Sequence, residues 1–254
     1  MAQTEPISIS IRFYAELNDH LPREHRYQSI EKSLYVPTTA KDLIEGCGVP
    51  HAEVDLIIAN GESVDFSYLV RNGDRISVYP MFESLDITPA LRVRPRPLRE
   101  PKFVLDVHLG RLAAYLRMLG FDTVYQDCFD DEDLVRVSSR EHRILLTRDR
   151  GVLKHSAVTH GYWLRETDSK RQAAEIVHRF DLLRTIQPFT RCMACNAVLE
   201  PVSKDKIRDQ LPPRTAELYD EFHECERCGR IYWKGSHYAR MQRWIHEFSG
   251  GTRA

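Results

Sequence analysis

Apolar and polar residues alternate over 7–14, placing Ile7, Ile9, Ile11 and Phe13 on one face, a period of two that predicts a half-buried strand. Residues 26–36 suit a second strand, and Thr39 stands where it would cap a short helix over 39–46. A strand at 56–59 leads into the turn Asn60-Gly61, and 74–80 closes this region as a final strand. From Lys102 onward the pattern changes. Residues 102–107 read as a strand, and 108–119 put Leu109, Leu112, Ala113, Leu116 and Leu119 on one helical face, with Gly120 as its stop. Then follow a strand at 123–125, a helix at 131–141, a strand at 143–147, a short helix after Asp149, a strand at 162–164 and a helix at 168–183. Strands alternating with helices predict a mainly parallel sheet covered on both faces. No internal repeat is apparent.

The first region has the order ββαββ of a β-grasp, assigned to residues 1–87. Between the two patterns, residues 88–101 carry Pro89, Pro95, Pro97 and Pro101 interleaved with Arg92, Arg94, Arg96 and Arg99. Proline resists both helix and central strand, so this stretch reads as an extended, solvated linker. The α/β region is assigned to 102–187 and a cysteine-bearing region to 188–254. Three units suit 254 residues, since one domain usually spans roughly 100 to 200.

Composition narrows the setting. With 42% hydrophobic and 29% charged residues, the chain can bury a core and stay solvated. A formal net charge of -1 gives no global field for nucleic acid or an acidic membrane, so any nucleic-acid surface must be local. The N-terminus lacks a basic stretch followed by an apolar core, and no run approaches the roughly 18 apolar residues of a membrane span. A cytoplasmic location is therefore expected, where six cysteines serve as thiols or metal ligands and not as disulfides.

Ligands of open parallel sheets bind beyond the carboxyl ends of the strands, so acids there carry chemical weight. Asp106 ends its strand and Asp149 follows Thr147 by one residue, while a third acid would come from the run 130–133. Converging carboxylates repel one another, and Mg²⁺ or Mn²⁺ relieves that repulsion. Such a cation activates water and neutralises charge on a phosphodiester oxygen. Arg111, Arg117, Arg148 and Arg150 lie near these acids in sequence and are candidates for holding phosphates. Capping of the following helix explains the acids at 130–133, Asp106 and Asp149 equally well on spacing alone.

Cys192 and Cys195, then Cys225 and Cys228, form two C-x₂-C pairs, the pattern of two knuckles that complete a tetrahedral Zn²⁺ site. Four sulfur ligands leave no open coordination position, which makes such a zinc structural. Asn196 and Gly229 suit the tight turns after each pair, and the long gap between pairs implies an inserted loop around 211–213. Cys47 and Cys128 are expected to pack as small apolar side chains. Tyr232 and Trp233 suit either base stacking or a hydrophobic seam, and His237 is a candidate for substrate binding. Met241, Trp244 and Phe248, at helical spacing, are expected to pack.

IANGESV at 58–64 with RNGDRISVYP at 71–80 resembles the sulfur-carrier and ubiquitin-like β-grasp families. A carrier needs a free C-terminal Gly-Gly, and here the chain continues into the linker, which argues against carrier chemistry. FVLDVHLGRLAAYLRMLGFD at 103–122, DEDL at 131–134 and RILLTRDR at 143–150 resemble the PIN-like Mut-seven C-terminal ribonuclease family, in which a ubiquitin-like domain in front is a known arrangement. The resemblance runs from about Lys102 to the end of the chain. It implies a metal-dependent ribonuclease acting on single-stranded RNA through Asp106, Asp131 and Asp149. Asp133 is the alternative for the middle role, and Glu166 or Asp168 are candidates for a fourth acid. A protein partner at the ubiquitin-like domain fits the same picture. The rival reading is a non-catalytic RNA-binding or adaptor protein with an incomplete acidic site. An aspartyl-phosphate phosphatase would need a second aspartate two residues after Asp106, where the chain has His108.

Overall fold

The computed structural model describes residues 5–81, 92–93 and 101–250. The linker expected over 88–101 thus lies almost wholly outside the described residues. The chain forms two compact units, Met1–Asp106 with Cys128–Leu164, and Val107–Asp127 with Arg165–Ala254.

The first unit opens with β1 (Ile7–Phe13), β2 (Ile30–Leu34), α1 (Ala40–Gly46), β3 (Val54–Ala59), β4 (Glu62–Val64) and β5 (Arg75–Pro80). These strands make one mixed sheet in the order β2-β1-β5-β3-β4, with β1 and β5 parallel at its centre, which is a β-grasp. The alternating face of β1 reaches the core as its period required: Ile9, Ile11 and Phe13 are buried against Ile44, Ile57 and Val78. Thr39 caps α1, its hydroxyl accepting from the Asp42 amide at 3.2 Å and donating to the Asp42 carboxylate at 2.7 Å. Strand β4 is an addition to the sequence pattern. Asn60 and Gly61 take φ of 52° and 91°, the left-handed pair of a tight hairpin turn, so the chain folds straight back on β3 and pairs Ser63 with Ile58.

After β6 (Phe103–Leu105) the chain runs through α2 (Gly110–Met118), β7 (Thr123–Val124), α3 (Asp131–Glu141), β8 (Ile144–Thr147), β9 (Gly161–Trp163) and α4 (Ser169–Arg179). In the first unit β6, β8 and β9 are parallel neighbours, with Val104 beside Leu145 and Leu146 beside Tyr162. All three residues of β6 and all four of β8 are buried, as strands covered on both faces require. Helix α3 starts at Asp130, whose carboxylate accepts from the Asp133 amide at 2.8 Å, and buries Leu134, Val135 and Ser138.

In the second unit, α2 buries Leu112, Ala113, Leu116 and Met118. Gly120 ends it at φ +97°, where a Cβ would stand 2.3 Å from the Gln187 carbonyl oxygen, so only glycine fits. Helix α4 is shorter than the periodicity over 168–183 predicts. Asp181 adopts φ 47°, and the Leu182 amide turns back to the Val177 carbonyl at 2.8 Å, closing the helix early.

The rest of this unit carries β10 (Glu200–Val202), α5 (Lys204–Ile207), α6 (Pro213–Leu218), β11 (Phe222–Glu224), β12 (Ile231–Trp233) and α7 (Ser236–Gly250). Strands β10, β11 and β12 form an antiparallel sheet. The inserted segment expected around 211–213 is built from α5 and α6, with Ile207, Leu211 and Phe222 forming a small core of their own. No helix among the described residues is long and apolar enough to cross a membrane.

Candidate active site and metal centre

Asp106 follows β6, and its amide extends the parallel ladder by donating to the Leu146 carbonyl at 3.1 Å. Its half-buried carboxylate accepts a 2.7 Å hydrogen bond from the hydroxyl of Thr147, the last residue of β8. The same hydroxyl accepts from the Asp149 amide at 2.9 Å. Thr147 is fully buried, so one hydroxyl ties together the two chain segments that carry Asp106 and Asp149. The Asp149 carboxylate accepts from the Gly151 amide at 2.6 Å, which shapes the exposed turn after β8. The sequence pattern missed Thr147; a hydroxyl closing the apolar run Ile144, Leu145, Leu146 beside an aspartate is the signal that points to it.

Asp131 occupies the first turn of α3 and is exposed. Asp133, the alternative acid, pairs with Arg136 one turn on. In the second unit Asp168 caps α4, accepting from the Lys170 and Arg171 amides at 3.1 Å each. The Glu166 amide donates to the Glu175 carboxylate at 3.0 Å.

The arginines separate into different environments. Arg111 and Arg148 are exposed. Arg150 packs its guanidinium 4.9 Å from the Trp163 ring centroid and reaches the His20 carbonyl at 3.5 Å. Arg117 departs from the expectation of a phosphate ligand: it is 4% exposed, and its guanidinium donates to the carbonyls of Thr123 at 2.9 Å, Ala194 at 2.8 Å and Met193 at 3.2 Å. Burial lowers the Arg117 pKa from its usual value, opposed by the neighbouring Cys195 and Cys192 sulfurs. The His237 side chain lies outside the described residues.

Cys192, Cys195, Cys225 and Cys228 bring their sulfurs within 4.8 Å of one another. Among the described residues no second set of three or more Cys, His, Asp or Glu side chains gathers in this way. The Cys192–Cys228 and Cys195–Cys225 sulfurs are 3.6 and 3.3 Å apart, close to the roughly 3.8 Å edge of a tetrahedron with metal–sulfur bonds of about 2.3 Å. The four sulfurs therefore suit a metal ion such as zinc. Both knuckles turn as their sequences require: Asn196 and Gly229 have φ of 71° and 69°, and their amides reach back to the Cys192 and Cys225 carbonyls at 2.9 and 2.8 Å.

The surroundings favour thiolate at one ligand above all. Burial works against ionisation of Cys192, but hydrogen bonds from the Tyr232 hydroxyl, at 3.1 Å, and from the Cys195 and Ala194 amides hold its thiol down at about 6. Cys195 is pushed up to about 12 by burial and by the neighbouring thiols. Tyr232 packs on the cysteine cluster and Trp233 on the Ile207 core, both within the cysteine-bearing region. Trp244 lies 5.1 Å from the Tyr115 ring, consistent with a packing role for α7. Of the remaining cysteines, Cys47 packs against the β-grasp core, with burial raising its pKa, whereas Cys128 is exposed in the turn before α3 and not packed as expected.

The chain thus combines a β-grasp, a parallel βα sheet with acids at its strand ends and a four-cysteine cluster. The Mut7-C RNAse domain model matches residues 101–245, more than half the chain, and the chain belongs to that family. A second model, Mut7-C ubiquitin, matches residues 7–86. Among solved structures, SAMP1 from Haloferax volcanii is similar at 15% identity with a TM-score of 0.25, covering 31% of this chain and 99% of that one. No curated protein matches.

Proposed function

We propose that the chain is a metal-dependent ribonuclease that hydrolyses phosphodiester bonds in single-stranded RNA in the cytoplasm. One observation carries this reading beyond the family match: Asp106 and Asp149 stand at the carboxyl ends of adjacent parallel strands and are organised around the single hydroxyl of Thr147. Asp106, Asp149 and Asp131, with Asp133 as the alternative to Asp131, present only hard oxygen donors, which suit Mg²⁺ or Mn²⁺. When bound, such a cation lowers the pKa of a water and neutralises charge developing on the phosphodiester. Thr147 fixes the orientation of the Asp106 carboxylate by donating to it, and the exposed Arg111 and Arg148 supply cations for the RNA backbone. The four cysteines hold a structural zinc, and the ubiquitin-like domain offers a surface for a protein partner.

The adaptor reading draws on one feature. Asp168, a candidate for the fourth acid, uses one carboxylate oxygen to cap α4. The experiment is cleavage of end-labelled single-stranded RNA in Mn²⁺, in Mg²⁺ and in EDTA, with Asp106→Asn in parallel. Cleavage that needs the metal and disappears in the variant supports the ribonuclease. RNA binding without cleavage in any metal establishes the adaptor.

A further inference from the structure

Strand β9 is the last strand of the parallel set, so its outer edge needs a partner for its backbone groups. That partner comes from the β-grasp. Glu53, in the short turn His51–Glu53 before β3, accepts a 2.5 Å hydrogen bond from the Trp163 amide through Oε1. Its other oxygen, Oε2, lies 2.9 Å from His20 Nε2, with the two side chains 2% and 0% exposed. The His20 and Trp163 rings are 5.2 Å apart. Gly161, at the start of β9, permits this approach: a Cβ there would stand 2.4 Å from Leu153 Cδ2 and 3.3 Å from Ala52 Cβ.

The contact reaches the turn that carries Asp149. Trp163 Nε1 donates to the Arg148 carbonyl at 3.1 Å. Two residues on, Arg150 stacks on the same indole and bonds the His20 carbonyl, and Lys154 donates to the Glu45 carbonyl at 3.2 Å. The stretch 148–154 is thus tied at three points to Trp163 or directly to the β-grasp. A domain on a free tether presents a solvated face; here a buried carboxylate of the β-grasp satisfies the Trp163 amide, and separating the two segments would cost both groups this bond.

We propose that the ubiquitin-like domain is a fixed clamp on the Asp149 turn, with Glu53 as a positioning residue that acts through Trp163 on the Arg148 carbonyl. The inference rests on the reading of Asp149 as an acid of the active site. Metal-binding acids gain from being held in place before the ligand arrives, and these contacts add to the Thr147 and Gly151 bonds that shape the turn from within.

The test uses the full chain and Trp163→Phe, which keeps an aromatic ring and loses the indole donor, with Glu53→Ala, which removes the acceptor of the Trp163 amide, and Glu53→Gln, which keeps one. Ile57→Val, a small cavity in the β-grasp core, serves as a stability control. Amide hydrogen exchange of residues 148–151 is expected to rise about tenfold or more in Trp163→Phe and in Glu53→Ala, to change little in Glu53→Gln and to match wild type in Ile57→Val. In cleavage assays Trp163→Phe should need about tenfold more Mn²⁺ for half-maximal rate, with KM for RNA unchanged. Unchanged exchange at 148–151 in Trp163→Phe or in Glu53→Ala would overturn the clamp, and so would an equal rise in Ile57→Val. If wild type cleaves no RNA in any metal, the ribonuclease reading fails, while the exchange data still decide the clamp.

Discussion

Thr147 performs two tasks that only a buried hydroxyl performs at once, donating to Asp106 and accepting from the Asp149 amide. Thr147→Val keeps the shape and removes both bonds. It is expected to cost about 1–3 kcal/mol of stability and to cut RNA cleavage about tenfold or more, whereas Thr147→Ser retains most of both. Thermal unfolding and single-turnover cleavage read the two effects separately, and wild-type cleavage in Thr147→Val would remove the residue from the site. Arg117 makes the opposite case. Its three carbonyl bonds and its burial predict that Arg117→Met loses about 2–3 kcal/mol and leaves KM for RNA unchanged. An unchanged melting temperature with a raised KM would return it to the substrate. At this scale the acids were legible, because each follows a short apolar run that ends a strand. Arg117 was less so: it lies one turn after Ala113 on the apolar stripe of α2, a position that signals burial, but nearness in sequence to the acids suggested a phosphate.

Among the elements, the four-cysteine region depends most on a few atoms. Cys192 is fully buried, bonds Tyr232 and gathers with three other sulfurs, so Cys192→Ser should lower bound zinc from about one ion per chain to well under half. The same change should expose this region to proteolysis. Zinc content equal to wild type would show that the cysteines hold no ion. The C-x₂-C spacing made both knuckles readable, down to the left-handed Asn196 and Gly229. The segment between them was harder, since α5 and α6 are too short for a periodic signal to emerge, and their apolar residues pack within a local core. Helix α4 ran long in the sequence pattern because apolar Leu182 and Leu183 continue its stripe, while the left-handed turn at Asp181 that ends it has no glycine to mark it.

For the whole molecule, a β-grasp, a βα region and a cysteine cluster were visible in the change of period from two to 3.6 and in the paired cysteines. What joins the β-grasp to the strand end was not visible: His20, Glu53 and Trp163 are far apart in sequence, each unremarkable alone, and only the fold brings them into contact. The central claim, that this family member cuts RNA with acids held at the ends of β6 and β8, is tested most directly by comparing wild type with Asp149→Asn. The substitution is nearly isosteric and offers a poorer ligand to a hard cation, so folding should survive it. Wild type is expected to cleave single-stranded RNA in a Mn²⁺-dependent manner, with a loss of about a hundredfold or more in Asp149→Asn at equal melting temperature. Cleavage by the variant at the wild-type rate would contradict it.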